Sequence, residues 1–493
     1  MLEVDLLVIG GGINGVGVAA DAAGRGLSVV LCEKGDLASG TSSESSKLIH
    51  GGLRYLEYYK FGLVHESLRE RAILLKRAPH LVHPLNFILP YSKSMKPRWM
   101  LYAGLKLYDL LAYPTNLDKS KYISLKKSSQ EKVLEESYVH GFRYADAQTD
   151  DARLVVLNAL LAKEKGAKIF THTECIKAER QEEGWLLSLR SDEGESQIKA
   201  KAIVNASGPW VTKVLHTVFG IDNRLPCRLV KGSHIVVPKL YEERVAYTLQ
   251  NPDGRIIFVI PYKEDYSLIG TTDLVFTEDP DSVKISPEEC DYLCENVNHY
   301  FKTKISPKNV RWSYSGVRAL YDDHKKNAAS VTREHKVEID YPEKAPLISL
   351  YGGKLTSYRA LSEEIVNDLK RYFPKLKAPW TRTALLPGGD LGMNFNDFVL
   401  SLQKQYPWMP VKILRRYANN YGRRSFHILK NASALKGLGV DFGAGLYQAE
   451  VNYLVQEEWA ETVEDILWRR SKLGLESALI DIENLKNFLF SVT

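Results

Sequence analysis

Val4 to Ile9 is an apolar run of strand length that passes directly into Gly10-Gly11-Gly12-Ile13-Asn14-Gly15 and then into the Ala-rich stretch Val16 to Gly26. A second apolar run, Ser28 to Cys32, ends in Glu33. Glycines crowd into many turns, so this spacing alone says little. Placed between a strand and a helix, with an acidic residue closing the next strand, it predicts a βαβ unit that binds a dinucleotide. Gly10 permits the tight turn, Gly12 leaves room for a pyrophosphate against the backbone, and Gly15 lets the helix pack close to the sheet. The helix start at Ile13 and Asn14 offers N–H donors and the positive end of a dipole to phosphates. Glu33 is placed to accept both ribose hydroxyls, and its charge would repel a 2′-phosphate, which argues against NADP.

The 493 residues are material for roughly three domains. At 44% hydrophobic and 26% charged the composition is that of an ordinary soluble globular chain, long enough to bury a core. No run reaches the roughly 18 apolar residues of a spanning helix. The N-terminus is acidic where a signal peptide would be basic, so neither anchor nor leader is expected. Cys32, Cys175, Cys227, Cys290 and Cys294 are odd in number and form no CxxC pair. That suits a reducing compartment and indicates neither a disulfide framework nor a metal site.

The net charge of +6 is unevenly spread. Between Tyr91 and Lys127, Lys93, Lys96, Arg98, Lys106, Lys119, Lys121, Lys126 and Lys127 are opposed only by Asp109 and Asp118, so this one segment carries an excess equal to that of the whole chain. Within it Trp99 to Leu105 and Leu107 to Tyr113 are apolar and aromatic. Two readings stand: an amphipathic element lying in a membrane interface, or a core helix under a basic surface. No recognised module accompanies the charge, so nucleic acid is not an expected partner.

The predicted fold class is mixed α/β: a Rossmann-like FAD-binding domain interleaved with a β-rich antiparallel substrate domain, plus a C-terminal all-helical domain. Residues 1–75 form the first part of the FAD-binding domain, with a helical pattern from Phe61 to Arg77. Residues 76–149 form a substrate- or membrane-facing segment. Residues 150–227 return to the FAD-binding domain, with Asp150 as helix cap and a strand into Asn205-Ala206-Ser207-Gly208-Pro209-Trp210. Residues 228–330 alternate as antiparallel strands. Residues 331–386 complete the FAD-binding domain, where Tyr351-Gly352-Gly353-Lys354-Leu355-Thr356 leads into a second helix start. Residues 387–493 are helical, most clearly from Leu446 to Arg470. A single fingerprint, a long polar loop after Glu33 and this later glycine pair favour FAD over NAD.

Several of these runs are long enough to carry a resemblance. Thr41-Ser42-Ser43-Glu44-Ser45-Ser46-Lys47-Leu48-Ile49-His50-Gly51-Gly52-Leu53-Arg54-Tyr55-Leu56, Asn205 to Trp210, Lys231 to Pro238, Tyr314-Ser315-Gly316-Val317-Arg318 and Tyr351 to Thr356 resemble the FAD-dependent glycerol-3-phosphate dehydrogenases of the bacterial respiratory type. The similarity spans essentially the whole chain. Ala319 stands where that family usually has proline, and Ser207 replaces a threonine.

The resemblance implies oxidation of sn-glycerol 3-phosphate to dihydroxyacetone phosphate. Hydride would move from C2 to flavin N5, and electrons would pass to ubiquinone or menaquinone. It implies a homodimer attached peripherally at the cytoplasmic face of the bacterial inner membrane. It places Arg54, Tyr55, His234, Arg318, Arg333, Lys354 and Thr356 in the substrate pocket, and Ser45, Lys47 and His50 against the flavin. With the fingerprint residues, Thr41, Ser42, Leu48, Ser207, Gly208, Gly353 and Leu355, and again Lys354 and Thr356, complete the expected cofactor set. Arg54, Arg318, Arg333 and Lys354 also lie outside the obvious helical faces, where cations can bind a phosphate dianion. His234 and His50 are candidates for the base, with Lys354 or an arginine-held water as others. Arg318 and Lys354 complete the catalytic set, and no metal is expected. Rival readings are a glycerol-3-phosphate oxidase that uses oxygen, an amine or amino-acid oxidase, and a catalytically silent nucleotide-binding membrane protein.

Overall fold

The computed structural model describes residues 1–93, 95–126, 128–222, 225–321, 335–340 and 344–492. The apolar run at the N-terminus forms the strand Leu2–Ile9, buried on both faces in its second half. Continuous burial of that kind belongs to an inner strand covered on both sides. It pairs in parallel with Val29–Cys32 on one side and Gly194–Asn205 on the other. The sheet continues through Leu347–Tyr351 to Lys336–Asp340 at one edge and ends in Lys168–Phe170 at the other. A hairpin, Glu174–Gln181 and Gly184–Ser191, pairs antiparallel onto Gly194–Asn205.

One face of this sheet is covered by the helices Ile13–Gly24, Asp151–Glu164 and Tyr358–Asp368. The middle helix starts where the Asp150 side chain accepts the Arg153 N–H at 3.2 Å, as expected of a cap. It buries Leu154, Val155, Val156, Leu157, Leu160 and Leu161, each stabilising by about 1.5–3 kcal/mol. The opposite face packs on Val211–Phe219 and the hairpin.

The second sheet runs Leu274–Phe276, Cys227–Pro238, Tyr266–Gly270, Ile256–Tyr262, Val245–Gln250, His83–Pro90, His140–Gln148, Leu48–Ile49, with Trp312–Tyr321 paired on Cys227–Pro238. Pairing is antiparallel except between Val245–Gln250 and His83–Pro90. Two expected boundaries need correction. The chain enters this sheet at Leu48–Ile49, which pairs with His140–Gln148, well before residue 75. Segment 76–149, expected to face substrate or membrane, belongs to the same sheet as the strands from residue 227 onward, to which it supplies the inner strands His83–Pro90 and His140–Gln148. The helix Phe61–Arg77 forms where its periodicity placed it and bridges both cores, with Leu68 against the second sheet and Leu74 against the first.

Past residue 386 the chain is helical, with Phe395–Gln405, Val411–Tyr421, Gln448–Glu458 and Ile482–Val492 around one core. The stretch from Leu446 to Arg470, where helical periodicity is clearest, forms two helical segments with a break between them. Trp459 takes a left-handed conformation (φ 56°) that ends Gln448–Glu458, and a short π-helical turn, Asp465–Arg470, follows. That break turns Arg469 and Arg470 back onto the first domain, where both bind Asp36, at 2.5 Å from Arg469 Nε and 2.6 and 2.8 Å from Arg470. Glu458, at the end of the broken helix, pairs with Arg153 in full burial.

Candidate active site

A cavity of about 610 Å³ runs from Glu33 along the carboxyl ends of the first sheet to the middle of the second. Its near end is the fingerprint. Gly10 has φ 110°, a conformation that glycine alone adopts without strain. A side chain at Gly15 would overlap the Gly10 carbonyl oxygen, so helix and turn touch only because Gly15 is bare. Ile13 N–H donates to Ser42 Oγ at 2.9 Å, which ties the polar loop to the helix start. Glu33 accepts Gly11 N–H at 2.6 Å and Gly35 N–H at 2.9 Å. Burial raises its pKa, and those two N–H groups oppose the rise.

The second glycine element meets the first through Asn14, whose Nδ2 donates to the Gly352 carbonyl at 3.1 Å. Gly353, Lys354, Leu355 and Thr356 then line the cavity, as do Ser207, Gly208 and Trp210. Ser207 Oγ is fixed by Asn205 Oδ1 at 2.6 Å.

The loop from Thr41 to Leu48 forms the floor. Thr41 Oγ1 donates to the Val317 carbonyl at 2.5 Å, and Ser45 Oγ donates to Asp151 at 2.7 Å. Beyond it lies the substrate end. His234 Nε2 meets Ser46 Oγ at 2.8 Å, and the imidazole stacks on Tyr314. Burial, with the nearby cations of Lys47 and Arg318, holds His234 well below the ordinary imidazole range against the opposing pull of Asp273, so the ring is neutral at pH 7. Arg318 binds Asp273 at 2.6 Å. Lys354 Nζ lies 4.2 Å from the centre of the Tyr55 ring, and His50 N–H donates to Thr356 Oγ1 at 3.2 Å.

The cavity thus gathers Gly10, Gly12, Ile13, Asn14, Glu33, Thr41, Ser42, Ser45, Leu48, His50, Tyr55, Ser207, Gly208, His234, Arg318, Gly353, Lys354, Leu355 and Thr356. Three expected residues lie elsewhere. Gly15 is packed beneath the turn and does not line the cavity. Lys47 is turned away from it, with its ammonium group bound to both oxygens of Asp151 at 2.8 and 2.9 Å and to the Ser43 carbonyl. A buried cation finds its carboxylate partner before it can serve a ligand. Arg54 stands in the short helical turn Leu53–Tyr58 with its guanidinium on Tyr58, outside the lining. Arg333 lies outside the described residues. Sequence reading assigned no role to Ser46, Asp273, Tyr314 and Asp151. Their partners are remote in sequence, and only Ser46, inside the Ser-rich run, and Tyr314, at the head of the Tyr314 to Arg318 run, stood in motifs that could have pointed to them.

The sequence model of the FAD dependent oxidoreductases matches residues 5–344. Glycerol-3-phosphate dehydrogenase of Pseudomonas aeruginosa is 47% identical over 96% of this chain and 92% of its own length. The chain belongs to the family of FAD-dependent glycerol-3-phosphate dehydrogenases. The X-ray structure of the glycerol-3-phosphate dehydrogenase from Bacillus halodurans, complexed with FAD, shares 28% identity and superposes with a TM-score of 0.76 over 96% of this chain and 86% of that one. The model named for the C-terminal domain of alpha-glycerophosphate oxidase matches residues 379–487. D-erythritol 1-phosphate dehydrogenase of Brucella abortus is 48% identical over 95% of this chain and 94% of its own length.

FAD, the cofactor of the family, suits what the cavity offers. Among the described residues Asn14 Oδ1, Trp210 Nε1 and His234 Nδ1 are buried on lining residues without hydrogen-bond partners. Polar atoms left so in a folded protein call for a ligand or water.

Proposed function

We propose that this enzyme oxidises sn-glycerol 3-phosphate at its C2 hydroxyl to dihydroxyacetone phosphate and delivers the electrons to a membrane quinone. The observation that carries this reading is the far end of the cavity, where the neutral imidazole of His234 shares one wall with Arg318 and another cation, Lys354, lines the same space. Bound FAD supplies the hydride acceptor, at N5 of its ring system. Arg318 and Lys354 bind the phosphate dianion, and their charge fixes which carbon of the polyol lies at the reaction centre. His234 takes the hydroxyl proton at Nδ1, the ring nitrogen that Ser46 leaves untouched. His50, held by Thr356 at the cofactor wall, is the alternative base.

The relative that acts on D-erythritol 1-phosphate gives a second reading, a longer polyol phosphate in the same site. Anaerobic mixing of the purified yellow protein with each compound separates the two. We expect sn-glycerol 3-phosphate to bleach the flavin band and plain glycerol to leave it. Faster bleaching by D-erythritol 1-phosphate would transfer the assignment to that substrate. Stoichiometric peroxide in air would replace quinone by oxygen as the acceptor.

Among the described residues no helix is long and apolar enough to cross a membrane. The helix Arg98–Leu111 supports surface attachment instead: it buries only Leu105 and Tyr108 and leaves Trp99 and Leu110 each 70% exposed. Tyr59 is 80% exposed on a turn that Lys96 ties to this helix through Glu57, at 3.1 Å. Aromatic rings beside Lys93, Lys96 and Arg98 suit an anionic lipid surface. The same helix reaches the site, because Tyr108 OH donates to Asp146 and accepts Gly51 N–H, both at 2.8 Å, next to His50. Replacing Lys93, Lys96 and Arg98 together by Glu is expected to weaken sedimentation with anionic phospholipid vesicles by at least roughly 100-fold, since the loss of three cations alone removes about 1 kcal/mol each and the added carboxylates repel the lipid further. Unchanged sedimentation would remove this helix from the account.

A further inference from the structure

A column of aromatic rings connects the C-terminal domain to the reaction centre. Trp468, on the π-helical turn, stacks on Trp312 with centroids 4.5 Å apart. Trp312 lies 4.7 Å from Tyr314, and Tyr314 stacks on His234 at 4.9 Å with the planes 19° apart. The sequence makes this arrangement possible. Trp312 and Tyr314 are two apart on one strand and so share a face, and Tyr314 stands directly opposite His234 in the register of the neighbouring strand.

The outer end is closed by Gly474, where any side chain would overlap the Trp468 indole. The inner end is closed by the loop, since Tyr314 OH donates to the Ser45 carbonyl at 2.8 Å and the next residue, Ser46, meets His234 Nε2. Tyr314 therefore holds the imidazole twice, by its face and through the loop it anchors. Two ammonium groups flank the rings: Lys47 lies 4.8 Å from the Tyr314 centroid and Lys472 5.9 Å from that of Trp312.

We propose that Trp468 is a positioning residue for His234, pressing the Trp312–Tyr314 pair onto the imidazole so that the C-terminal domain sets the ring's orientation and keeps water from it. The proposal rests on the reading of His234 as part of the substrate site. Its physical basis is packing: a gap of only ~0.5–1 Å forfeits a quarter to a half of the contact energy between the atoms on either side. Loss of the outermost ring loosens each ring inside it. The groups that face His234 are the cations of Lys47 and Arg318 and the carboxylate of Asp273, with burial dominant. Admitting water weakens the burial effect, so the ring then titrates at higher pH, closer to a free imidazole.

The test uses full-length, FAD-loaded protein. Trp468→Leu keeps apolar bulk but removes the plane, Trp468→Phe keeps a plane, and Tyr266→Phe loosens the same segment by cutting its 3.1 Å bond to the Leu475 carbonyl without touching the column. Nitrogen-labelled histidine NMR, with the signal assigned by its loss in His234→Gln, reads the ring itself. In Trp468→Leu we expect the His234 titration to rise by about one pH unit and kcat to fall roughly 10-fold through misplacement of the reacting groups. The acid limb of kcat/KM should rise with the ring. Trp468→Phe and Tyr266→Phe should titrate like the parent. An unmoved ring in Trp468→Leu, or an equal shift in Tyr266→Phe, overturns the proposal. A ring that moves while the acid limb stays put upholds the positioning and refutes His234 as the base.

Discussion

Arg318→Met is expected to lower kcat/KM for sn-glycerol 3-phosphate by roughly 100- to 1,000-fold, the ~3–4 kcal/mol typical of truncating one member of a desolvated charge pair. Two effects add. The phosphate loses a guanidinium donor, and Asp273, 9% exposed and 2.6 Å from Arg318, loses that counter-charge, so its carboxylate repels the dianion more strongly. The loss should fall mainly on KM, because both effects act on the bound phosphate before any bond breaks. FAD content should stay at that of the parent, since the fingerprint lies at the other end of the cavity. Steady-state kinetics with sn-glycerol 3-phosphate makes the check. A kcat/KM within a factor of a few of the parent would take Arg318 out of phosphate recognition.

Glu458→Ala should cost the whole molecule about 3–5 kcal/mol of stability, the range found when one partner of a buried ion pair is removed. Arg153 is wholly buried at this junction, bound to Glu458 and to the Asn420 carbonyl at 2.8 Å. The alanine variant strands its charge. Replacing Arg153 by Met in the same background should recover part of the loss, because the stranded charge is then gone. Urea titration of the single and double variants decides it. A single variant that unfolds at the parent's midpoint would show that the junction does not depend on this pair.

How much of this was written in the sequence differs from element to element. The cofactor end was legible because its signals are local: strand, glycines and helix follow one another from Val4 to Gly24, and the acidic residue closes the next strand. The helix Phe61–Arg77 was legible by periodicity for the same reason. The entry into the second sheet was not. A strand of two residues, Leu48–Ile49, has no pattern of its own and exists only because His140–Gln148 passes beside it. Lys47 illustrates the same limit in the site. Nothing near it in the chain shows that its carboxylate waits 104 residues downstream, and a lysine in a motif reads as a ligand until that partner is seen. His234 is the converse case. Its place in the pocket came from the resemblance, but the contacts that hold the ring come from Ser46 and Tyr314 on separate strands and loops. Arg54 shows that a motif residue can sit next to a site residue, here Tyr55, and still face another way.

The clamp on Asp36 fixes an order of events in biosynthesis. The dinucleotide fingerprint leaves the ribosome well before Arg469 and Arg470, which bind Asp36 beside it and lie 433 and 434 residues later in the chain. At roughly 5–20 residues per second the interval is some tens of seconds. Throughout it the Asp36 carboxylate lacks the two guanidinium groups that hold it in the finished fold. The nascent enzyme can therefore display its phosphate-binding turn before the clamp that braces the segment after Glu33 has been made.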